Sequence, residues 1–333
     1  MSTSAKAVRN HPAAWIGRDL QQRTDWMHRL TAAELDELDA AIVALGGSGK
    51  PIGSITAADY PLRELGASIR RWRHTLESGR GFFLVRGFPA RRYSEEQAAL
   101  AFWIVGAHLG DPVSQNSDGD LLGHVRDTGA RPNSLETRLY KTRAELTFHT
   151  DGADIIGLFC LRTAKAGGIS RIASSVAVYN EIVRRRPDLA PLLFDKFPNY
   201  MPGPQGIAGQ GSVFKYPIVT IDDDLFRMLF LGWYIRDSQS LPETPRLTPQ
   251  QLELVDVLEQ IPNEPGMALD MQFAEGDMQF LKNSVILHAR TGYEDAAAPD
   301  EKRHLLRLWL RATSFRDGDE VLRRGVAAQT MTS

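Results

Sequence analysis

The spacing of apolar residues along the chain changes character near residue 110. Before that point it is mostly helical. Residues 30–35 open one helix with Thr31 as N-cap and Glu34 three residues on, a capping-box spacing, and Gly46-Gly47-Ser48-Gly49 ends it. Residues 62–76 read as a second amphipathic helix. Residues 95–108 read as a third, stopped at Gly110-Asp111-Pro112. Between the last two, residues 81–87 read as a buried strand bounded by glycines. Beyond residue 110 the pattern shortens to apolar runs with turn signals between them. The predicted strands are 138–142, 155–162, 170–177, 216–221, 267–273, 278–281, 285–288 and 304–312, separated by turns such as Gly167-Gly168 and Glu275-Gly276-Asp277. Two helices interrupt them, 175–186 and one opening at Thr248-Pro249, with a Thr N-cap and Pro at the first helical position. Residues 201–211 are too rich in Gly and Pro for regular structure, which predicts a surface loop or a lid over a site.

Many short strands at this spacing predict a sandwich or barrel, not a parallel βαβ sheet. No Gly-x-Gly-x-x-Gly or Walker A pattern is present. The 333 residues suffice for a sizeable core, with 43% hydrophobic and 24% charged. The balance of 39 Lys+Arg against 41 Asp+Glu leaves no basic field, so nucleic acid is not expected as a partner. The single cysteine, Cys160, excludes an intrachain disulfide and fits a reducing compartment. It reads as a small core residue. No apolar run approaches the ~18 residues of a membrane span, and residues 1–20 carry no signal-peptide core. A cytoplasmic protein with no membrane partner is expected.

Of eight histidines, one stands two residues before a carboxylate, in His149-Thr150-Asp151. The alternation of Leu146-Thr147-Phe148 suggests a strand, which would point His149 and Asp151 to one face. Such a pair supplies two sites of a metal that accepts N and O ligands. His288, at the end of the predicted strand 285–288, is a candidate third ligand. Two His and one carboxylate form the facial triad of non-heme Fe(II) oxygenases; a satisfied strand-end histidine is the alternative. Arg303 and Arg307 follow on a strand whose alternation puts Leu306, Leu308 and Leu310 on one face and Arg303, Leu305, Arg307, Trp309 and Arg311 on the other. Guanidinium groups that deep need partners, either internal carboxylates or an enclosed anionic ligand.

Together, His149-Thr150-Asp151, the Asn283-x4-His288 setting, Arg303-x3-Arg307 and the Gly167-Gly168-Ile169-Ser170 element resemble the TauD/TfdA group of Fe(II)/2-oxoglutarate-dependent dioxygenases, in the clavaminate synthase-like superfamily. The resemblance runs from about Gly81 to Phe315; residues 1–80 add nothing to it. It implies a mainly β fold with flanking helices (α+β), built on a double-stranded β-helix, a cupin-like jelly roll, as one catalytic unit over 81–333. Residues 1–80 would be a mainly helical extension. It implies Fe(II) on His149, Asp151 and His288, with 2-oxoglutarate and O2 as cosubstrates. Arg303 would pair with the distal carboxylate of 2-oxoglutarate, Ser170 would hydrogen-bond it, and Arg307 would meet an anionic group of the substrate. The roles of the two arginines are open to exchange. Oxygenation is implied over halogenation because Asp151 keeps the carboxylate position filled. A homodimer or tetramer is a family expectation. Two other readings remain compatible with these residues, a cupin-like zinc or manganese hydrolase or isomerase and a non-catalytic barrel that binds a small anion.

Other residues carry weaker expectations. Arg290 shares the face of His288 if the strand continues and would reach the substrate, with a solvated strand end as the alternative. Trp233, Tyr234 and Arg236 are candidates for the mouth of a pocket. His124 and Gln115-Asn116 are candidate substrate contacts. Arg184-Arg185-Arg186 close a helix, where cations complement the dipole.

Overall fold

The structure is a computed structural model and describes residues 7–116, 118–130, 141–202, 212–312 and 315. Two sheets face each other. The larger runs Met27–Arg29, Phe82–Arg86, Met278–Lys282, Ile155–Arg162, His304–Arg311, Asp111–Pro112, with Leu122–Val125 also paired to His304–Arg311. The smaller runs Leu269–Met271, Ser170–Ser174, Ile286–Arg290, Leu146–His149. Pairing is antiparallel throughout except at the edge, where Met27–Arg29 lies parallel to Phe82–Arg86. The core is the expected double-stranded β-helix, mainly β with helices outside.

Strand alternation builds two cores. From His304–Arg311, Leu305 and Trp309 join the cluster that includes Ile172, Phe148 and Met271 of the smaller sheet. Leu306, Leu308 and Leu310 join the other, with the helices Ala32–Gly46, Glu64–Ser78 and Glu95–Leu109 outside the larger sheet. Both faces of this strand are therefore covered, which is why it reads as a nearly continuous apolar run. The helices begin where their caps dictate. Thr31 with Glu34, Ser94 with Gln97 and Thr248 with Gln251 each form a reciprocal capping box. Gly276 turns the chain into the Met278–Lys282 strand at φ 88°, where a Cβ would lie 1.8 Å from the Phe88 carbonyl oxygen.

Three expectations shift. The strand predicted over 170–177 ends at Ser174, because the Ser174 hydroxyl accepts from the Ala177 amide and starts the helix Ser175–Arg185. The run 216–221 divides between two hairpins, Lys196–Met201 with Ser212–Pro217 and Val219–Asp222 with Leu225–Met228. Pro217 ends the earlier strand. Met27–Arg29, within the expected helical extension, is a strand of the larger sheet. The predicted strand at 138–142 falls mostly, and the predicted loop at 201–211 almost wholly, outside the described residues. Among the described residues no helix is long and apolar enough to cross a membrane.

Candidate metal centre

His149 closes its strand and His288 lies in the middle of Ile286–Arg290. The two are direct cross-strand partners, with ring centroids 4.1 Å apart. Asp151 joins them by a route different from the expected one. The strand ends at His149, so alternation along it does not unite the pair. Thr150 turns away to Phe230 instead. Its amide donates to the Phe230 carbonyl at 2.9 Å, and its hydroxyl accepts from the Phe230 amide at 2.9 Å. The buried Asn283 then fixes Asp151 by its backbone, accepting from the Asp151 amide at 2.8 Å and donating to the Asp151 carbonyl at 2.7 Å.

The result is one buried cluster. Asp151 Oδ1 lies 3.9 Å from His149 Nε2, Asp151 Oδ2 lies 3.5 Å from His288 Nε2, and the three donor atoms fall within 4.8 Å of one another. One ion about 2 Å from each donor would draw the three inward, to about 3 Å apart on one face. The donor chemistry fits as well. His149 Nδ1–H donates to the Thr147 carbonyl at 2.8 Å, which turns the Nε2 lone pair to the centre. Burial, reinforced by His288, pushes the His149 pKa down to about 3, so the imidazole is neutral, as a ligand must be. Burial would raise the Asp151 carboxyl, but Arg307, His288 and His149 outweigh it and keep the group ionised.

Around this cluster the arginines separate into two groups. Arg307 Nη1 lies 3.7 Å from Asp151 Oδ2, and Trp309 Nε1–H donates to the same oxygen at 3.1 Å. The guanidinium lies 5.0 Å from the Trp309 ring centre, and its Nε donates to Gln115 Oε1 at 2.7 Å. Gln115 in turn donates to the Arg307 and Leu121 carbonyls at 2.8 and 3.0 Å. Arg303 and Arg290 lie elsewhere, at 4.9 and 4.8 Å from the centre of one ring, that of Tyr293. Gly168, at φ 69°, leaves room there, since a Cβ would meet Arg303 Nε at 3.0 Å. Ser170 is buried directly across from Arg290, and its hydroxyl lies 3.4 Å from Gln279 Oε1. Gln279 Nε2 lies 3.0 Å from Met271 Sδ. Arg290 is not solvated at a strand end. It is buried, and Nη2 donates to the Thr142 carbonyl at 3.0 Å and to that of Ala144.

The weaker expectations sort cleanly. Trp233 packs on His149 at 4.9 Å between ring centres, with Tyr234 edge-on to it. Arg236 faces away, paired with Asp256 and Glu259. Gln115 braces Arg307, whereas Asn116 caps its own turn through the amides of Asp118 and Asp120. His124 belongs to a separate group, its Nδ1 2.8 Å from His304 Nε2 and 3.8 Å from Glu95. Arg184, Arg185 and Arg186 are paired with Glu181, Glu264, Asp188 and Glu253. Cys160 is a free, buried thiol. The Asn283 clamp, the Trp309 donor, the Gln115 brace and the Tyr293 ring were not foreseen in these roles. Asn283 and Trp309 stood inside the motifs, but only the contacts give them a function.

Comparison with known proteins adds an independent finding. The sequence model of the "Taurine catabolism dioxygenase TauD, TfdA family" matches residues 48–309. The similarity therefore begins well before Gly81 and includes part of the first 80 residues. The chain is 28% identical over 313 residues to FR-33289 synthase of Streptomyces rubellomurinus, covering 91% of this chain and 90% of that protein. It is 29% identical over 314 residues to taurine hydroxylase-like protein SAT17 of Stachybotrys chartarum, covering 90% and 78%. Among solved structures, asparagine oxygenase in complex with Fe(II), 2S,3S-3-hydroxyasparagine and succinate superposes with a TM-score of 0.66 at 15% identity, covering 86% of this chain and 94% of that one.

Proposed function

Because the chain belongs to the TauD/TfdA family of dioxygenases, we propose that His149, Asp151 and His288 hold Fe(II), that Arg303 and Ser170 receive the distal carboxylate of 2-oxoglutarate, and that Arg307 meets an anionic group on a small organic substrate. The enzyme is an Fe(II)- and 2-oxoglutarate-dependent dioxygenase acting on a small molecule. Family membership displaces the hydrolase, isomerase and non-catalytic readings. The observation that carries the residue assignment is the convergence of two imidazoles and one carboxylate on a buried point, with a guanidinium 3.7 Å from the carboxylate.

Bound Fe(II) supplies the activation of O2 that couples decarboxylation of 2-oxoglutarate, to succinate and CO2, with oxidation of the substrate. The protein's part is placement. Neutral His149 and ionised Asp151 present lone pairs without first losing protons. Asn283 and Trp309 hold the Asp151 backbone and carboxylate against rotation. Arg307, preset by Gln115 and stacked on Trp309, offers a rigid cationic wall beside the metal ligands. Trp233 shields the His149 side of the cluster. An anionic substrate group would meet the Arg307 guanidinium bidentately beside Asp151. The sole cysteine, reduced and buried, fits the cytoplasm.

Succinate formation against a panel of carboxylates, sulfonates and phosphonates, each beside a neutral isostere, tests the substrate class. The anionic members should stimulate turnover. Stimulation by the neutral isosteres alone would remove Arg307 from the substrate site.

A further inference from the structure

We propose that Arg290 is a second guanidinium of the subsite for the distal carboxylate of 2-oxoglutarate, acting with Arg303 and Ser170, and that it takes no part in holding the primary substrate. This rests on the reading of the site given above.

Register places it there. Across the strand pair, His288 faces Ile172 and Arg290 faces Ser170, so the Arg290 and Ser170 side chains share the inner face one pleat beyond the metal ligand. Two residues along a strand span about 6.6 Å, comparable with the reach of a five-carbon keto acid whose other end chelates the metal. Arg303 arrives at the same place from the residue just before the larger sheet's strand His304–Arg311 and shares the Tyr293 ring with Arg290.

The donors point to a missing acceptor. Arg290 is 6% exposed and Arg303 5%. Buried Nε and Nη1 of Arg290 and buried Nη1 of Arg303 have no hydrogen-bond partner, and among the described residues neither guanidinium has a carboxylate within 4 Å. Neither nearby acid forms an ion pair with these two guanidinium groups, although Asp295 Oδ2 is itself buried without a hydrogen-bond partner. Asp295 accepts from the Arg303 amide at 2.8 Å, and Asp127 pairs with Arg143 at 3.0 Å. Such groups are ordinarily satisfied in a folded protein, and one enclosed carboxylate meets donors from both arginines. Arg307, by contrast, stands beside Asp151 with its own partners. The cations thus divide into a pair for the cosubstrate and one for the substrate.

The test uses the Co(II)-loaded full-length protein under calorimetric titration with 2-oxoglutarate and, separately, with pyruvate, a keto acid lacking the distal carboxylate. Arg290→Gln should weaken 2-oxoglutarate binding about tenfold or more, the loss of a charged hydrogen bond. Pyruvate and Co(II) binding should stay within about twofold, and Arg290→Lys should restore part of the loss. That pyruvate control separates a lost subsite from a disturbed fold. Unchanged 2-oxoglutarate affinity in Arg290→Gln, alongside a large loss in Arg303→Gln, would overturn this assignment while leaving the enzyme's reading intact. Wild-type protein that binds neither keto acid would remove both.

Discussion

The indole N–H of Trp309 donates to Oδ2 of Asp151 at 3.1 Å, so a residue near the end of the last described strand sets the orientation of the carboxylate in the proposed metal site. Partners of this kind tune a site without touching the ion, and their loss ordinarily costs about 10–100-fold in metal affinity. Trp309→Phe keeps the ring and removes the donor. Fe(II) or Co(II) affinity should fall by that factor with the melting curve of the metal-free protein little changed. An unaltered affinity would mean that Asp151 needs no such support.

Asn283 contributes to stability as well as to the site, because its amide satisfies both backbone groups of Asp151 in a buried turn. Asn283→Ala leaves them unpaired, at a cost of about 1–3 kcal/mol each at most. The urea midpoint should drop accordingly in metal-free protein. A midpoint equal to wild type would show that water or a shifted neighbour replaces the clamp.

Arg303, just before the strand His304–Arg311, and Arg307 within it are four residues apart yet face different partners. Arg303→Ala should raise the Michaelis constant for 2-oxoglutarate much more than that for the primary substrate, and Arg307→Ala should do the reverse. Steady-state kinetics with each reactant varied in turn reads the difference directly. The opposite pattern would exchange their roles.

His304 makes stability depend on acid. Burial, followed by the charges of His124, Arg162, Arg126 and Arg303, lowers its pKa from 6.5 to about 3. Between those values the unfolded chain binds a proton that the native state refuses. This contribution to stability is therefore fully present above about pH 6.5 and declines as pH falls toward 3. In His304→Gln the acid-side slope of the urea midpoint should be shallower than in wild type. Parallel slopes would place the acid sensitivity elsewhere.

The parts of this molecule visible in its sequence are those whose signals are local. Thr31 with Glu34 and Thr248 before Pro249 mark helix starts because a cap and its partner lie within one turn. The run Ile155–Arg162 reads as a strand because both its faces are buried. His149, Asp151 and His288 are nameable because metal chemistry restricts the residue types. What stayed hidden depends on contacts between distant segments. Met27–Arg29 is three residues long and becomes a strand only against Phe82–Arg86. The turn that brings in Asp151 is fixed by Phe230 and Asn283. For Arg290, periodicity gives the face, while only the register with Ser170 and the shared Tyr293 ring give the neighbours.

The central claim is that His149, Asp151 and His288 hold one iron to which 2-oxoglutarate chelates. Anaerobic titration of Fe(II) and 2-oxoglutarate into the protein, followed by visible absorption, tests it most directly. Wild type should develop a weak charge-transfer band that saturates at about one iron per chain, as a single three-ligand site requires. Folded His149→Ala and Asp151→Ala should not. A band of undiminished intensity in either variant, or none in well-folded wild type, would contradict the account.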